Sequence, residues 1–188
     1  MIIGQKVIIR PMELGDEEYL HKWWGSGEVM SHATFKYGIL QTKDTIRKKI
    51  EKDIEVQESI PQSKRFIVCR KDDMAPIGEI CYSSWDKRNQ KCEFGIKICE
   101  TQEQGKGYGY DALYYFIDYM FSYLNLNKIE LTTMIDNKRA QDFYEKLGFK
   151  RIGIIRDAFY DSRVSTFSDC VYMDLLKREW RAIKYGNK

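Results

Sequence analysis

The first apolar run, Val7-Ile8-Ile9-Arg10, is short, β-branched and stopped by Pro11, so it predicts a strand. Asp16 then precedes Tyr19, Leu20, Trp23 and Trp24 at helical spacing, which predicts a capped short helix ended by Gly25-Ser26-Gly27. Thr42 opens a second helix. From Thr45 to Gln57, Ile46, Ile50 and Ile54 fall on one stripe, and Lys43, Arg47, Lys48, Glu51, Lys52 and Glu55 make a solvated face. Phe66–Cys69 and Ile77–Trp85 are two strands joined by a turn at Lys71-Asp72-Asp73, so they should pair antiparallel. Lys91–Cys99 is a third strand. Cys92, Phe94, Ile96 and Ile98 alternate onto one face, and Glu93, Gly95 and Lys97 take the other.

A long helix follows from Gly107 to Leu124, with Ala112, Leu113, Phe116, Ile117, Met120, Phe121 and Leu124 as its stripe. Ile129–Met134 is a strand. Asp136-Asn137 caps a helix carrying Ala140, Phe143, Tyr144 and Leu147, which Gly148 terminates. Phe149–Ile155 and Val171–Leu175 are the last strands. The order β-α-α-β-β-β-α-β-α-β-β describes a mixed α/β or α+β domain with three meandering strands before one long helix.

Composition narrows the function more than the fold. At 188 residues the chain is expected to form one domain, burying roughly 70% of its unfolded surface without help from a metal or disulfide. Basic and acidic residues number 31 and 28, too balanced to announce a nucleic-acid or membrane binder. The five cysteines (Cys69, Cys81, Cys92, Cys99, Cys170) form no CxxC, and only His21 and His32 could join them, so no metal site is expected. The N-terminus has no signal-peptide pattern, and no uncharged run reaches the ~18 residues of a membrane span, so a soluble cytoplasmic protein is expected.

The segment that carries chemistry is Gln104-Gly105-Lys106-Gly107-Tyr108-Gly109, between a strand and a helix. A helix N-terminus presents unpaired N–H groups, and glycines let a diphosphate approach the backbone, so the combination predicts an anion cradle. A P-loop string is missing, the spacing is GxGxG where a dinucleotide fingerprint needs GxGxxG, and the later kinase segments do not occur. A glycine turn that merely lets a helix pack closely remains the alternative from this segment alone.

The segment resembles the Q/R-x-x-G-x-G/A pyrophosphate motif of the GNAT N-acetyltransferase superfamily. Further on, Asn137 to Phe149 is similar to that family's N-x-x-A-x-x-x-Y-x-x-x-G-F signature. The resemblance runs from about Val7 to Leu176 and is nearest to the ribosomal-protein alanine and spermidine acetyltransferase branch, including the tail from Phe159 to Trp180. It implies a splayed central sheet of about seven strands flanked by helices on both faces. Acceptor-side helices would span about 14–60, the cofactor-binding core about 65–155, and a C-terminal strand and tail about 156–188.

The resemblance further implies acetyl-CoA as donor, a primary amine as acceptor, and direct transfer in a ternary complex, since no cysteine is placed as an acyl carrier. A non-catalytic acetyl-CoA-binding sensor or interaction module is the alternative. The cofactor's pantetheine arm would enter between Lys91–Cys99 and Ile129–Met134 and pair with Lys97, Ile98 and Cys99. Its diphosphate would lie on Gln104, Gly105, Lys106, Gly107, Tyr108 and Gly109, and its 3′-phosphate near Lys106, Lys138 or Lys146. Asn137 and Ala140 would face it, and the Ile98 N–H would stabilise the oxyanion.

Tyr144 is the expected proton donor to the leaving thiolate. Reference pKa values of about 8.5 and about 10 make that transfer uphill by roughly 2 kcal/mol. Glu93 or Glu79 would take the amine's proton, directly or through water, with a surface salt bridge as the alternative role of Glu93; His32 is a lesser candidate. The segment from Gly25 to Pro61, with His32, Phe35 and Tyr37, would wall the acceptor groove for a polyamine, amino sugar, amino acid or peptide N-terminus. Tyr108, Tyr110, Tyr114, Tyr115, Tyr119 and Tyr123 read as packing with polar tips and could contribute to a homodimer interface.

Overall fold

The computed structural model describes residues 1–56, 58 and 60–186. In chain order the elements are β1 (Ile2–Ile3), β2 (Val7–Pro11), α1 (Glu17–Gly25), α2 (Gly27–Met30), α3 (Lys43–Glu55), β3 (Lys64–Arg70), β4 (Pro76–Asp86), β5 (Lys91–Ile98), α4 (Tyr108–Ser122), β6 (Lys128–Met134), α5 (Lys138–Lys146), β7 (Lys150–Asp161), β8 (Thr166–Leu176) and α6 (Lys177–Tyr185). The strands form one mixed sheet in the order β1-β2-β3-β4-β5-β6-β8-β7. It has eight strands where about seven were expected. The addition is two-residue β1, too short for a pattern to show. The terminal hairpin is also longer than the strands read from the pattern, because β7 and β8 continue through mixed polar and aromatic residues to a turn at 162–165.

The two faces of the sheet are covered differently. Phe66, Val68, Ile80, Tyr82 and Phe94 pack against the α4 stripe (Ala112, Leu113, Phe116, Ile117, Met120, Phe121), with Leu147 and Trp180 in the same cluster. On the opposite face Ile67 and Cys69 meet Leu20 and Trp23 of α1 and Ile46 and Ile50 of α3. The period-two alternation of β3 therefore feeds two separate cores. Ile54, expected on the α3 stripe, is half exposed, since the helix has run past the sheet at its last turn. Gln57, the expected end of this helix, lies outside the described residues.

Asp16 does not cap α1 with its side chain. Its carboxylate is held by the Arg10 guanidinium at 2.7 and 2.8 Å and accepts from the Glu13 N–H, so the cap is traded for an ion pair. Thr42 does cap α3, accepting from the Thr45 N–H. No helix among the described residues is long and apolar enough to cross a membrane.

One feature of the sheet prepares the site. β5 and β6 run parallel but pair only from Lys91–Glu93 to Lys128–Glu130. Beyond that point β5 stays with β4 and β6 stays with β8, so the two strands diverge.

Candidate active site

The divergence opens a cavity of about 1060 Å³. Its β5 wall is the unbroken run Phe94-Gly95-Ile96-Lys97-Ile98, and its β6 wall is Thr132-Thr133-Met134. Successive residues of a strand point to opposite faces, so a cavity lined by all of them passes through the sheet. On one face it is bounded by Gln104, Gly105, Gly107, Gly109 and, from α5, Ala140, Phe143 and Tyr144. On the other lie His32, Ala33 and Thr34.

The backbone at the gap is arranged to receive an extended ligand. The Cys99 N–H is donated to Ile77 O at 2.8 Å, toward β4. Neighbouring residues of a strand direct their polar groups to opposite sides, so those of Ile98 point into the gap. The Gln104 side-chain amide donates to the Ile98 carbonyl at 2.9 Å, tying the glycine turn to the strand end. Of the stretch expected to pair with a cofactor arm, Lys97 and Ile98 line the cavity. Cys99 does not; its side chain is buried and its N–H is spent on β4.

The glycine turn is left-handed at Gly105 (φ 78°) and Gly107 (φ 88°), a conformation that a side chain would strain. Gly105 faces open space where a Cβ would stand. Among the described residues none accepts a hydrogen bond from the amides of Gly105, Lys106 or Gly107. Free N–H groups, left-handed glycines and the start of the fifteen-residue α4 together fit a diphosphate. Tyr108 turns its ring into the core, whereas Tyr110 lines the cavity. Lys106 pairs with Glu103 at 3.0 Å and is not on the cavity wall. Lys138 is not on it either, but Lys146 is, together with Arg139, which the sequence pattern did not single out. Arg139 stands one residue before Ala140 in a polar stretch, so only the helix phase could have found it.

α5 is fixed at its start by two polar devices. Asn137 Oδ1 accepts from the Ala140 N–H at 3.1 Å, so this residue is a helix cap that also lines the cavity. Gln141, fully buried, donates from Nε2 to the carbonyls of Met134 and Ile135, locking the turn from β6. Tyr144, one turn beyond Ala140, is half-buried among Phe94, Phe143 and Phe149 at ring distances of 5.4–5.9 Å. That burial pushes the phenol up to about 12.

The two expected bases stand outside the cavity wall. Glu79 is buried and engaged, receiving the Arg65 guanidinium at 2.5 Å and the Trp24 indole N–H at 3.1 Å. Glu93 is exposed on β5, two residues before Gly95 and on the same face of the strand.

The His32–Thr34 wall is held by the turn of the terminal hairpin. Thr34, left-handed at φ 69°, offers its carbonyl to both the N–H and the hydroxyl of Ser162, and that hydroxyl accepts from the Lys36 N–H at 2.9 Å. Arg163 pairs with buried Asp161 and reaches Asp136 at 3.1 Å, beside the cap of α5. Phe159 also lines the cavity; neither it nor Ser162 stands out as a site residue in the sequence, because the hairpin that brings them there is visible only in the fold.

Comparison with known proteins agrees with this geometry. Residues 6–150 match the family described as "Acetyltransferase (GNAT) domain". The chain is 28% identical over 178 residues to the uncharacterized N-acetyltransferase p20 of Bacillus licheniformis, covering 94% of this chain and 96% of that protein. It is 29% identical over 159 residues to the spermidine N(1)-acetyltransferase of Escherichia coli K12, covering 84% and 80%. Its fold superimposes on the crystal structure of spermidine N-acetyltransferase from Vibrio cholerae in complex with CoA and spermine with a TM-score of 0.82, at 25% identity over 93% of this chain and 98% of that one. The diverging strands, the free-amide glycine turn and this family match agree: the chain belongs to the GNAT acetyltransferase family and is an acyltransferase that uses acetyl-CoA.

Proposed function

We propose that this enzyme acetylates a primary amine of a polyamine of the spermidine class, by direct attack in a ternary complex. The observation that carries the reading is the cavity through the sheet. Its glycine turn and α5 lie on one face and its His32–Thr34 wall on the other, so donor and acceptor can meet at the gap from opposite sides. The named relatives that act on spermidine support the acceptor class.

The residues divide the work as follows. Gly105, Gly107 and Gly109 with Gln104 grip the diphosphate. Ile98, whose polar groups face the gap, pairs with the pantetheine arm, Lys97 lines the cavity beside it with its own polar groups turned to β4, and Arg139 and Lys146 face the 3′-phosphate. Bound acetyl-CoA would supply the thioester, and the Ile98 N–H would be the donor for its carbonyl oxygen. The neutral amine nitrogen forms a bond to that carbonyl carbon, the C–S bond breaks, and the sulfur takes the proton of the Tyr144 hydroxyl. The proton lost by the amine leaves through water toward Glu93. Glu79, already held by Arg65 and Trp24, shapes the adjacent strand.

The test is an amine panel with detection of released CoA thiol, covering polyamines, amino sugars, amino acids and peptides beginning with Ala or Ser. Spermidine or spermine is expected to give the highest kcat/KM. A peptide as best substrate would overturn the acceptor class. Tight CoA binding with no turnover on any amine would favour the non-catalytic module.

A further inference from the structure

We infer that Lys6, from the turn between β1 and β2, is a positioning residue for the diphosphate cradle. The inference rests on the reading that the glycine turn grips that diphosphate. The turn carrying Lys6 is built around Asp111, a buried carboxylate in the first turn of α4. Three consecutive amides donate to it: Gln5 at 3.2 Å, Lys6 at 2.8 Å and Val7 at 3.0 Å. A Cβ on Gly4 would stand 2.3 Å from Asp111 Oδ2, so only glycine lets the turn close this far. Lys71 secures the other side, donating from Nζ to the Gly4 carbonyl and from its N–H to the Lys6 carbonyl, each at 2.9 Å.

Held this way, the Lys6 side chain crosses to the glycine turn. Its ammonium donates to the Lys106 carbonyl at 3.0 Å and lies 3.2 Å from where a Cβ on Gly107 would be. In a trans peptide the C=O and the following N–H point in opposite directions. Tethering Lys106 C=O toward Lys6 therefore turns the Gly107 N–H the other way, toward the cavity that Gly107 lines. The tether matters because the turn is rich in glycine. Gly105 and Gly107 could otherwise rotate the intervening peptides at little cost and present carbonyls to the anion. Lys6 does not line the cavity, so it acts through Lys106, and its charge adds to the positive potential of the helix start.

The experiment compares the wild type with Lys6→Met and Lys6→Arg. CoA affinity is measured by calorimetry, and kcat/KM is measured with acetyl-CoA and with S-acetylpantetheine, which has the thioester but no diphosphate. Lys6→Met should weaken CoA about tenfold, the scale of one hydrogen bond from a charged donor, and raise the KM for acetyl-CoA equally with little change in kcat. The loss should disappear with S-acetylpantetheine, and Lys6→Arg should recover most of the affinity. Undiminished CoA binding by Lys6→Met would overturn the inference, as would an equal loss on both donors. Lys6→Gln replaces Lys6→Met in the same comparison if the latter does not fold. A wild type that binds no CoA would sink the reading of the glycine turn instead, before any variant is compared.

Discussion

In the proposed mechanism Tyr144 supplies the proton, yet the burial that holds it at the cavity also weakens it as an acid. With its phenol pushed up to about 12, transfer to an ordinary thiolate would be uphill by roughly 5 kcal/mol. The leaving sulfur enters the same dehydrated cavity, and burial raises a thiol's pKa as it raises a phenol's, which narrows the gap. Tyr144→Phe keeps the packing against Phe94, Phe143 and Phe149 and removes only the hydroxyl. It should lower kcat by about 10²-fold while CoA affinity by calorimetry stays within about twofold. Unchanged turnover would remove Tyr144 from the chemistry. The Y-x-x-x-G-F spacing makes this residue legible in the sequence. The engagement of Glu79 was not legible, because Arg65, Trp24 and Glu79 come from three elements that only the folded sheet brings together.

At the scale of elements, periodic apolar patterns identified β2 to β8 and the longer helices α1, α3, α4 and α5. Local chemistry set several boundaries well, as at Thr42 and Gly148. What escaped was structure whose apolar positions are few and interleaved with charges. The outer half of the β7–β8 hairpin, where Tyr160 packs on Phe167 amid polar residues, and α6, whose stripe is only Trp180 and Ile183 among charged residues, present too short a pattern to read. The ends of elements are also where single caps matter. Thr42→Ala removes the acceptor for the Thr45 N–H and should cost about 1 kcal/mol in urea unfolding, with little change in the slope. A null effect would mean that packing of Ile46 and Ile50 alone holds the start of α3.

Across the whole molecule, aromatic burial couples stability to alkaline pH. Tyr82, Tyr119, Tyr144 and Tyr172 all have phenols raised by burial, Tyr119 and Tyr144 to about 12. In the unfolded chain they would ionise near 10. Below that pH both states are neutral and the contribution is fully present. As pH rises from 10 through 12, only the unfolded chain releases these protons, so stability falls. Burial also raises the thiols of Cys81, Cys92 and Cys99, which ionise at about 8.5 in the unfolded chain, so melting temperatures should begin to decline above about pH 8.5 and fall more steeply beyond about pH 10. A flat profile to pH 12 would mean that these rings ionise freely in the folded protein.

The passage through the sheet bears on the order of events. A pocket with a single mouth makes the second ligand wait for the first and lets a lingering product block the exit. On the proposed reading the donor would enter beneath the glycine turn and the acceptor beside the loop pinned by Ser162, from opposite faces of the sheet. On that reading neither arrival nor departure on one side would obstruct the other, and the kinetic scheme would be random in both directions.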